Sequence, residues 1–176
     1  MIPTIYTPRL ILRGFQPEDL EPLHTILNDR EVIRYLPRSE PWPLEIVQKV
    51  MNRQRIHWET HGYGWYALEC QADHALIGWC GLGFLDESQE VEIKYLLKKS
   101  HWGLGYATEG ARHCLAAGFT QLGLDEIVGL VFPQNQASRH VLEKLGLSST
   151  GNLPYFGFNL DRYSINKDTY FTHFMR

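Results

Sequence analysis

Residues 92–111, EIKYLLKKSHWGLGYATEGA, decide the fold: an alternating strand runs into a basic, glycine-bearing loop, and the loop runs into a helix. In the strand, Val91, Ile93, Tyr95 and Leu97 share one face while Glu90, Glu92 and Lys94 share the other. Small residues in the loop let main chain approach a ligand closely, and a helix start presents N–H groups that no preceding turn can satisfy. With the positive end of the helix dipole, this predicts a pyrophosphate site over Trp102, Gly103, Leu104, Gly105, Tyr106, Ala107 and Thr108. Lys98 and Lys99 precede it and add attraction for phosphate. Tight turns without any ligand are the competing reading.

Two nucleotide motifs fail on local grounds. A dinucleotide-binding loop asks for a third glycine where Thr108 stands, and for an acid at the end of the next strand, whereas Asp125 falls at a strand start. A P-loop needs Gly-Lys-Ser/Thr after four intervening residues, a sequence this region lacks. The strand entering the loop is also half polar, where a central parallel strand would be apolar throughout.

Working outward, runs 65–70 and 75–85 read as strands that join 90–97 in an antiparallel meander. Upstream, 9–15 is a strand. Pro17 then opens a helix to Asn28-Asp29 with Leu20, Leu23, Ile26 and Leu27 as its stripe. A second helix, from Pro43 to about Glu59, buries Ile46, Val47, Val50, Met51 and Trp58 before Gly62 and Gly64 stop it. Downstream come a helix over 107–122, a strand over 126–132, and a helix that Asn135 caps and Gly146 ends. Short strands near 155–158 and 161–166 close the sheet. The order β-α-α-β-β-β-α-β-α-β-β implies a single α/β domain of α+β type over residues 1–176, with no repeat or linker to divide it.

The 176 residues are 44% hydrophobic and 21% charged, ordinary globular values. A net charge of -3 argues against nucleic-acid binding by electrostatics. No apolar run approaches the roughly 18–20 residues that span a bilayer, and Met1–Arg13 has no signal-peptide core, so the expected location is cytoplasmic. Cys70, Cys80 and Cys114 are odd in number with no Cys-x-x-Cys spacing, which suits buried reduced thiols; a disulfide or a nucleophilic cysteine is the alternative.

Four segments in order carry a family resemblance: TPRLILRGFQPEDLEPL with DREVIRYL, GYGWYALEC with LIGWCGL, EIKYLLKKSHWGLGYATEGA, and NQASRHVLEKLGL. Together they resemble the GNAT N-acetyltransferase superfamily, in the branch of the ribosomal-protein-alanine N-acetyltransferases, over nearly the whole chain. The resemblance implies a mixed, mostly antiparallel sheet split in a V and flanked by helices. It implies acetyl-CoA as cosubstrate, no metal and an amine acceptor, with no nucleic acid or membrane as partner. Pantetheine would pair with main chain near Leu96 and Leu97, the pyrophosphate would lie on 102–108, and Asn135 and Ser138 would touch CoA. Trp102 stands where the wider superfamily has Gln or Arg, as is usual in this branch. Homodimers are common in the family, an arrangement left open for this chain.

The reaction so implied is direct attack of a neutral amine on the thioester with both substrates bound. An α-amine of pKa about 8 loses its proton at neutral pH for about 1.4 kcal/mol, a lysine side chain for about 4–5 kcal/mol. Glu92 matches the branch's fourth-strand Glu and is the implied base; a solvated carboxylate beside Lys94 is the alternative. An N–H near Leu96 is the implied oxyanion donor. Many superfamily members protonate the thiolate with a tyrosine where this chain has Leu142, which leaves Ser138 as donor near sulfur or as a serine serving its own helix start. Tyr35 and Trp42, between the first two helices, fall on the acceptor side.

His57 and His61 have i, i+4 spacing but no third metal ligand, and His101 and His113 read as surface residues. Asp86, Glu87, Glu90 and Glu92 cluster at one hairpin, either to favour a cationic acceptor or simply as a solvated turn. A catalytically silent acyl-CoA-binding module is the alternative to an enzyme.

Overall fold

The computed structural model describes residues 1–174. The strands are β1 (Ile5–Tyr6), β2 (Leu10–Arg13), β3 (Trp65–Cys70), β4 (Leu76–Leu85), β5 (Glu90–Leu97), β6 (Glu126–Val131), β7 (Ser148–Tyr155) and β8 (Phe158–Asn166). The helices are α1 (Leu20–Ile26), α2 (Arg30–Ile33), α3 (Leu44–His61), α4 (Tyr106–Thr120), α5 (Gln136–Lys144) and α6 (Lys167–Phe174). One sheet joins the strands in the order β1-β2-β3-β4-β5-β6-β8-β7.

The meander β3-β4-β5 is antiparallel, as expected for three consecutive strand-like runs. The one parallel junction, β5 to β6, is registered at the single pair Glu92↔Val128, and beyond it the two strands diverge into a V. On one face of the sheet Leu68, Ile77, Ile93 and Leu97 pack with Ala111, Cys114, Leu115 and Phe119 of α4 and with Leu142 of α5. On the other, Ala67, Trp79 and Leu96 pack with Leu23 and Ile26 of α1, Ile33 of α2, and Val47 and Met51 of α3. Each large side chain so buried contributes roughly 1.5–3 kcal/mol of hydrophobic stabilisation. The alternation in β5 therefore feeds two separate cores, with Glu92, Lys94 and Leu96 turned toward the layer of α1–α3.

Three boundaries differ from the sequence expectation. The helix expected over 17–29 is a 3-10 turn at Pro17–Asp19 followed by α1, and Asp29 does more than end it. Its carboxylate accepts the Glu31 N–H at 2.9 Å and caps α2, which the sequence reading missed. At the other end, the expected strand 155–158 is a hairpin turn, with Phe156 and Gly157 at positive φ between β7 and β8. β7 is an edge strand, exposed along most of its length and carrying Gly151 and Pro154, so it has no alternation to read. α6 was not expected; its Tyr170 stacks on Phe119 at 4.8 Å between centroids. The three cysteines are buried and free.

Candidate active site

The loop between β5 and α4 is held open. Gly103 and Gly105 sit at φ 72° and 83°, a left-handed conformation that costs any residue with a Cβ. The first main-chain bond of α4 runs from the Glu109 N–H to the Gly105 carbonyl at 3.0 Å. The N–H groups of Tyr106, Ala107 and Thr108 therefore have no intrahelical acceptor and point out of the helix start. A Cβ placed on Gly103 would meet nothing within 4 Å, so the space beside that residue is open.

Side chains from distant segments brace this loop. Trp102 Nε1 donates to the Leu97 carbonyl at 2.8 Å, tying the loop to the end of β5. Arg9 Nη1 donates to the Leu104 carbonyl at 2.8 Å, Arg9 Nε to Glu109 at 2.7 Å, and the guanidinium lies 4.4 Å from the centre of the Tyr106 ring. Thr7 Oγ1 donates to the same Glu109 carboxylate at 2.6 Å. Burial pushes the Glu109 carboxyl up, but the bonds from Thr7 and Arg9 outweigh it and hold the group below its ordinary value. Arg9 and Thr7 escaped the sequence reading because they lie about a hundred positions from the loop.

A cleft of about 500 Å³ opens where β5 and β6 part, within the size range of small-molecule sites, about 300–1,000 Å³. At one end it is lined by Trp102, Gly103, Gly105, Tyr106, Ala107 and Thr108, then by Asn135 and Ser138 of α5, and at the other by Tyr35, Trp79, Glu92, Lys94, Phe132 and Tyr155. Leu96 and Leu97 also line it, as do His101 and His140, which makes His101 part of the cleft wall and not merely a surface residue. Leu104, Lys98, Lys99 and Trp42 are not in the lining. Trp42 packs on the α1–α3 core and its Nε1 reaches the Arg38 carbonyl at 3.4 Å.

The main chain of β5 refines the oxyanion expectation by one residue. Lys98 N–H donates to the Ile77 carbonyl at 2.7 Å, and the register pairs Leu97 with Gly78 and Leu96 with Trp79. Strict alternation of antiparallel bonding then turns the N–H and C=O of Leu96 toward β4, and those of Tyr95 and Leu97 toward the cleft.

Glu92 is buried, 5% exposed, and is not the solvated carboxylate of the alternative reading. Because β6 diverges, the Leu130 N–H lacks a strand partner and donates to Glu92 Oε1 at 3.3 Å. Glu92 Oε2 lies 2.8 Å from Lys94 Nζ, but off the hydrogen-bonding direction, so it has a charge partner and no aligned donor. Burial pushes the Glu92 carboxyl up against the opposing pull of Lys94 and Leu130. For Lys94, burial lowers the pKa, and the Glu92 charge more than offsets it.

On α5, Asn135 Oδ1 accepts the Ser138 N–H at 3.2 Å and caps the helix. The Tyr95 hydroxyl lies 2.9 Å from both the carbonyl and the Oγ of Ser138. Burial pushes the Tyr95 phenol well above its ordinary value. Alternation places Tyr95 on the core face, and sequence reading stopped there; only the packing of α5 brings its hydroxyl to Ser138. Leu142 is 1% exposed and fills space over Gly129, so a core leucine occupies the place of the superfamily tyrosine.

The acidic hairpin disperses. Glu90 pairs with Arg162, Glu92 turns into the cleft, and Asp86 and Glu87 stay exposed. The His57 and His61 rings lie 4.4 Å apart, tilted by 35°, with Tyr63 edge-on to His57 at 5.2 Å. Among the described residues no three His, Cys, Asp or Glu side chains group as metal ligands. Nor is any described helix long and apolar enough to cross a membrane.

Known proteins of similar sequence and shape agree with this geometry. The family model described as an acetyltransferase (GNAT) domain matches residues 9–148. The uncharacterized N-acetyltransferase YoaA of Bacillus subtilis is 31% identical over 155 residues, covering 87% of each chain. Spermidine N(1)-acetyltransferase of Escherichia coli is 28% identical over 156 residues, covering 86% of this chain and 80% of that protein. The ribosomal-protein-S5-alanine acetyltransferase of Vibrio fischeri, at 16% identity, shares the fold with a TM-score of 0.76 over 94% of this chain and 97% of its own. A loop of unpaired N–H groups at a helix start opens into the split sheet, and the chain belongs to the GNAT family of acetyl-CoA-dependent N-acetyltransferases.

Proposed function

We propose that this chain acetylates a primary amine, a protein N-terminal α-amine or a small-molecule amine, by direct attack on the thioester of acetyl-CoA with both substrates bound. The single observation that carries the reading is Glu92, a buried carboxylate that lines the same cleft as the open loop. The named activities of the relatives, on spermidine and on a ribosomal protein, support an amine as acceptor.

The N–H groups of residues 103–108 hold the diphosphate and Asn135 borders the chain that follows it. Glu92 takes the proton that the amine sheds as the C–N bond forms; its raised pKa makes it a stronger base than an exposed carboxylate. The N–H groups of Tyr95 and Leu97 face the place where the thioester oxygen gains charge. Ser138, backed by Tyr95, offers its hydroxyl to the sulfur as the C–S bond breaks. Tyr95 gives its one proton to the Ser138 carbonyl and its oxygen can accept from Ser138 Oγ, so Tyr95 is the positioning residue and Ser138, whose hydroxyl would turn from Tyr95 to the sulfur, the contact. The buried free thiols suit a reducing compartment, and a cytoplasmic location belongs to this proposal.

Thiol release from acetyl-CoA across a panel of amines tests the reading. Initial rates with both substrates varied should give intersecting lines if both are bound at once, and parallel lines would remove the direct attack. Acetyl-CoA binding without thiol release from any amine would favour a silent acyl-CoA-binding module.

A further inference from the structure

We propose that the acceptor is a primary amine with an apolar body and a single positive charge, and that polycationic amines are selected against. This rests on the acetyl-transfer reading and narrows it to a substrate class.

The two carboxylates of the cleft lining, Glu92 and Glu31, each have a cationic partner. Glu92 lies 2.8 Å from Lys94, and Glu31 lies 3.5 Å from Arg34 at the exposed rim. Glu90, next along β5 from the cleft mouth, is held by Arg162, which also holds Glu126. Among the described residues, no carboxylate in the lining lacks a cationic partner to leave it for a second ammonium. A polyamine would set its distal cation among side chains that offer no compensating charge, and desolvating that cation costs free energy that nothing returns.

What the wall does offer is aromatic surface. Tyr35, Trp79, Phe132 and Tyr155 line this end. Phe132 is fixed from behind, 6.1 Å from the Tyr35 ring and edge-on to Phe158 at 5.0 Å. Such rings could also attract a cation, but Lys94 Nζ already stands 5.7 Å from the centre of the Tyr155 ring. The same features serve the chemistry. Apolar surroundings disfavour an ammonium and favour the neutral amine that attacks.

The test compares kcat/KM, read by thiol release, for 2-phenylethylamine, a phenylalanine-first tripeptide amide, ethanolamine and spermidine. One or both of the phenyl-bearing amines should exceed spermidine and ethanolamine by about tenfold or more, and the two arms separate a small amine from a peptide N-terminus as the source. Spermidine equal to or better than both would overturn this inference alone. No thiol release with any amine would overturn the transfer reading and this inference with it. Lys94→Met should raise the ratio of spermidine to 2-phenylethylamine turnover, while Lys94→Arg should not; an unchanged ratio in Lys94→Met overturns the role of the charge. Should that variant fail to fold, Phe132→Ser should lower kcat/KM for the preferred phenyl-bearing amine about tenfold with acetyl-CoA affinity intact by calorimetry, and an unchanged value overturns the apolar wall.

Discussion

The two ends of the cleft are built from different materials. On the proposed reading, recognition at the loop end is done by main chain: two glycines in left-handed conformation and a run of unpaired N–H groups, all within residues 102–108. At the proposed acceptor end it would be done by side chains that arrive separately, Tyr35 after α2, Trp79 on β4, Glu92 and Lys94 on β5, Phe132 after β6 and Tyr155 on β7. A backbone site must keep its local geometry, so it changes little when side chains are exchanged. A site made of scattered side chains can be re-aimed one residue at a time. In this family the cosubstrate is common and the acceptor varies, and each end is made in the way that suits its task.

If that contrast holds, damage at the loop end should appear as lost acetyl-CoA binding, and damage near Glu92 as lost turnover. The largest effect is expected for Gly105→Val. A β-branched residue at φ 83° forces the loop out of shape, and the Gly105 position is 3.4 Å from Arg9 Nη2. Acetyl-CoA affinity should fall about a hundredfold or more by calorimetry, with circular dichroism confirming the fold. A folded variant with wild-type affinity would break the comparison.

Next comes Glu92→Gln, which should lower kcat about a hundredfold near pH 7 while leaving acetyl-CoA affinity within a factor of a few. The pH profile sharpens this. A base acts only when unprotonated, so the wild-type rate falls as pH drops through the Glu92 pKa. Burial raises that pKa, so the acidic limb lies above the range of an exposed carboxylate, and it should vanish in the variant. At high pH the amine deprotonates unaided and the two rates should converge. A constant ratio across pH would exclude Glu92 as the base.

Smaller losses, about tenfold in kcat, are expected for Ser138→Ala and Tyr95→Phe. Ser138→Ala should slow transfer more than it weakens CoA binding; equal losses would leave it a binding residue. If Tyr95 acts through Ser138, the double variant should be no slower than Ser138→Ala, and additive losses would separate the two.

The smallest effect belongs to the brace on the loop. Arg9→Ala should weaken acetyl-CoA binding a few-fold, because the salt bridge to Glu109 is partly exposed and such pairs contribute only about 0–1 kcal/mol. Glu109 has its pKa depressed in the fold, so the brace is intact above the unfolded value and is lost as pH falls through the folded one. Affinity should accordingly decline in acid in wild type and less so in Arg9→Ala, and identical acid profiles would remove the brace.

Wherever a pattern is local, the sequence alone was legible. The meander appears in three consecutive strand-like runs over 65–97, the loop in its glycines, and α5 in Asn135 and Gly146. Reading failed where one residue serves two elements, as Asp29 does, or where an edge strand has no buried face to impose a period, as in β7. At the site, Glu92 was legible as a candidate but its burial was not. A carboxylate beside a lysine on an alternating strand looks solvated until β6 is seen to diverge and leave the Leu130 N–H for it to satisfy.

By itself, then, the sequence determined that a strand, an anion-gripping turn and a helix follow one another, because strand period, left-handed glycines and helix starts are consequences of neighbours in the chain. Only the tertiary structure decided which charges cancel in the cleft, which main-chain groups face it, and that Tyr95 meets Ser138 across 43 positions. Those facts depend on where β5 and β6 part, and the divergence of two strands is a property of how all the layers pack against them.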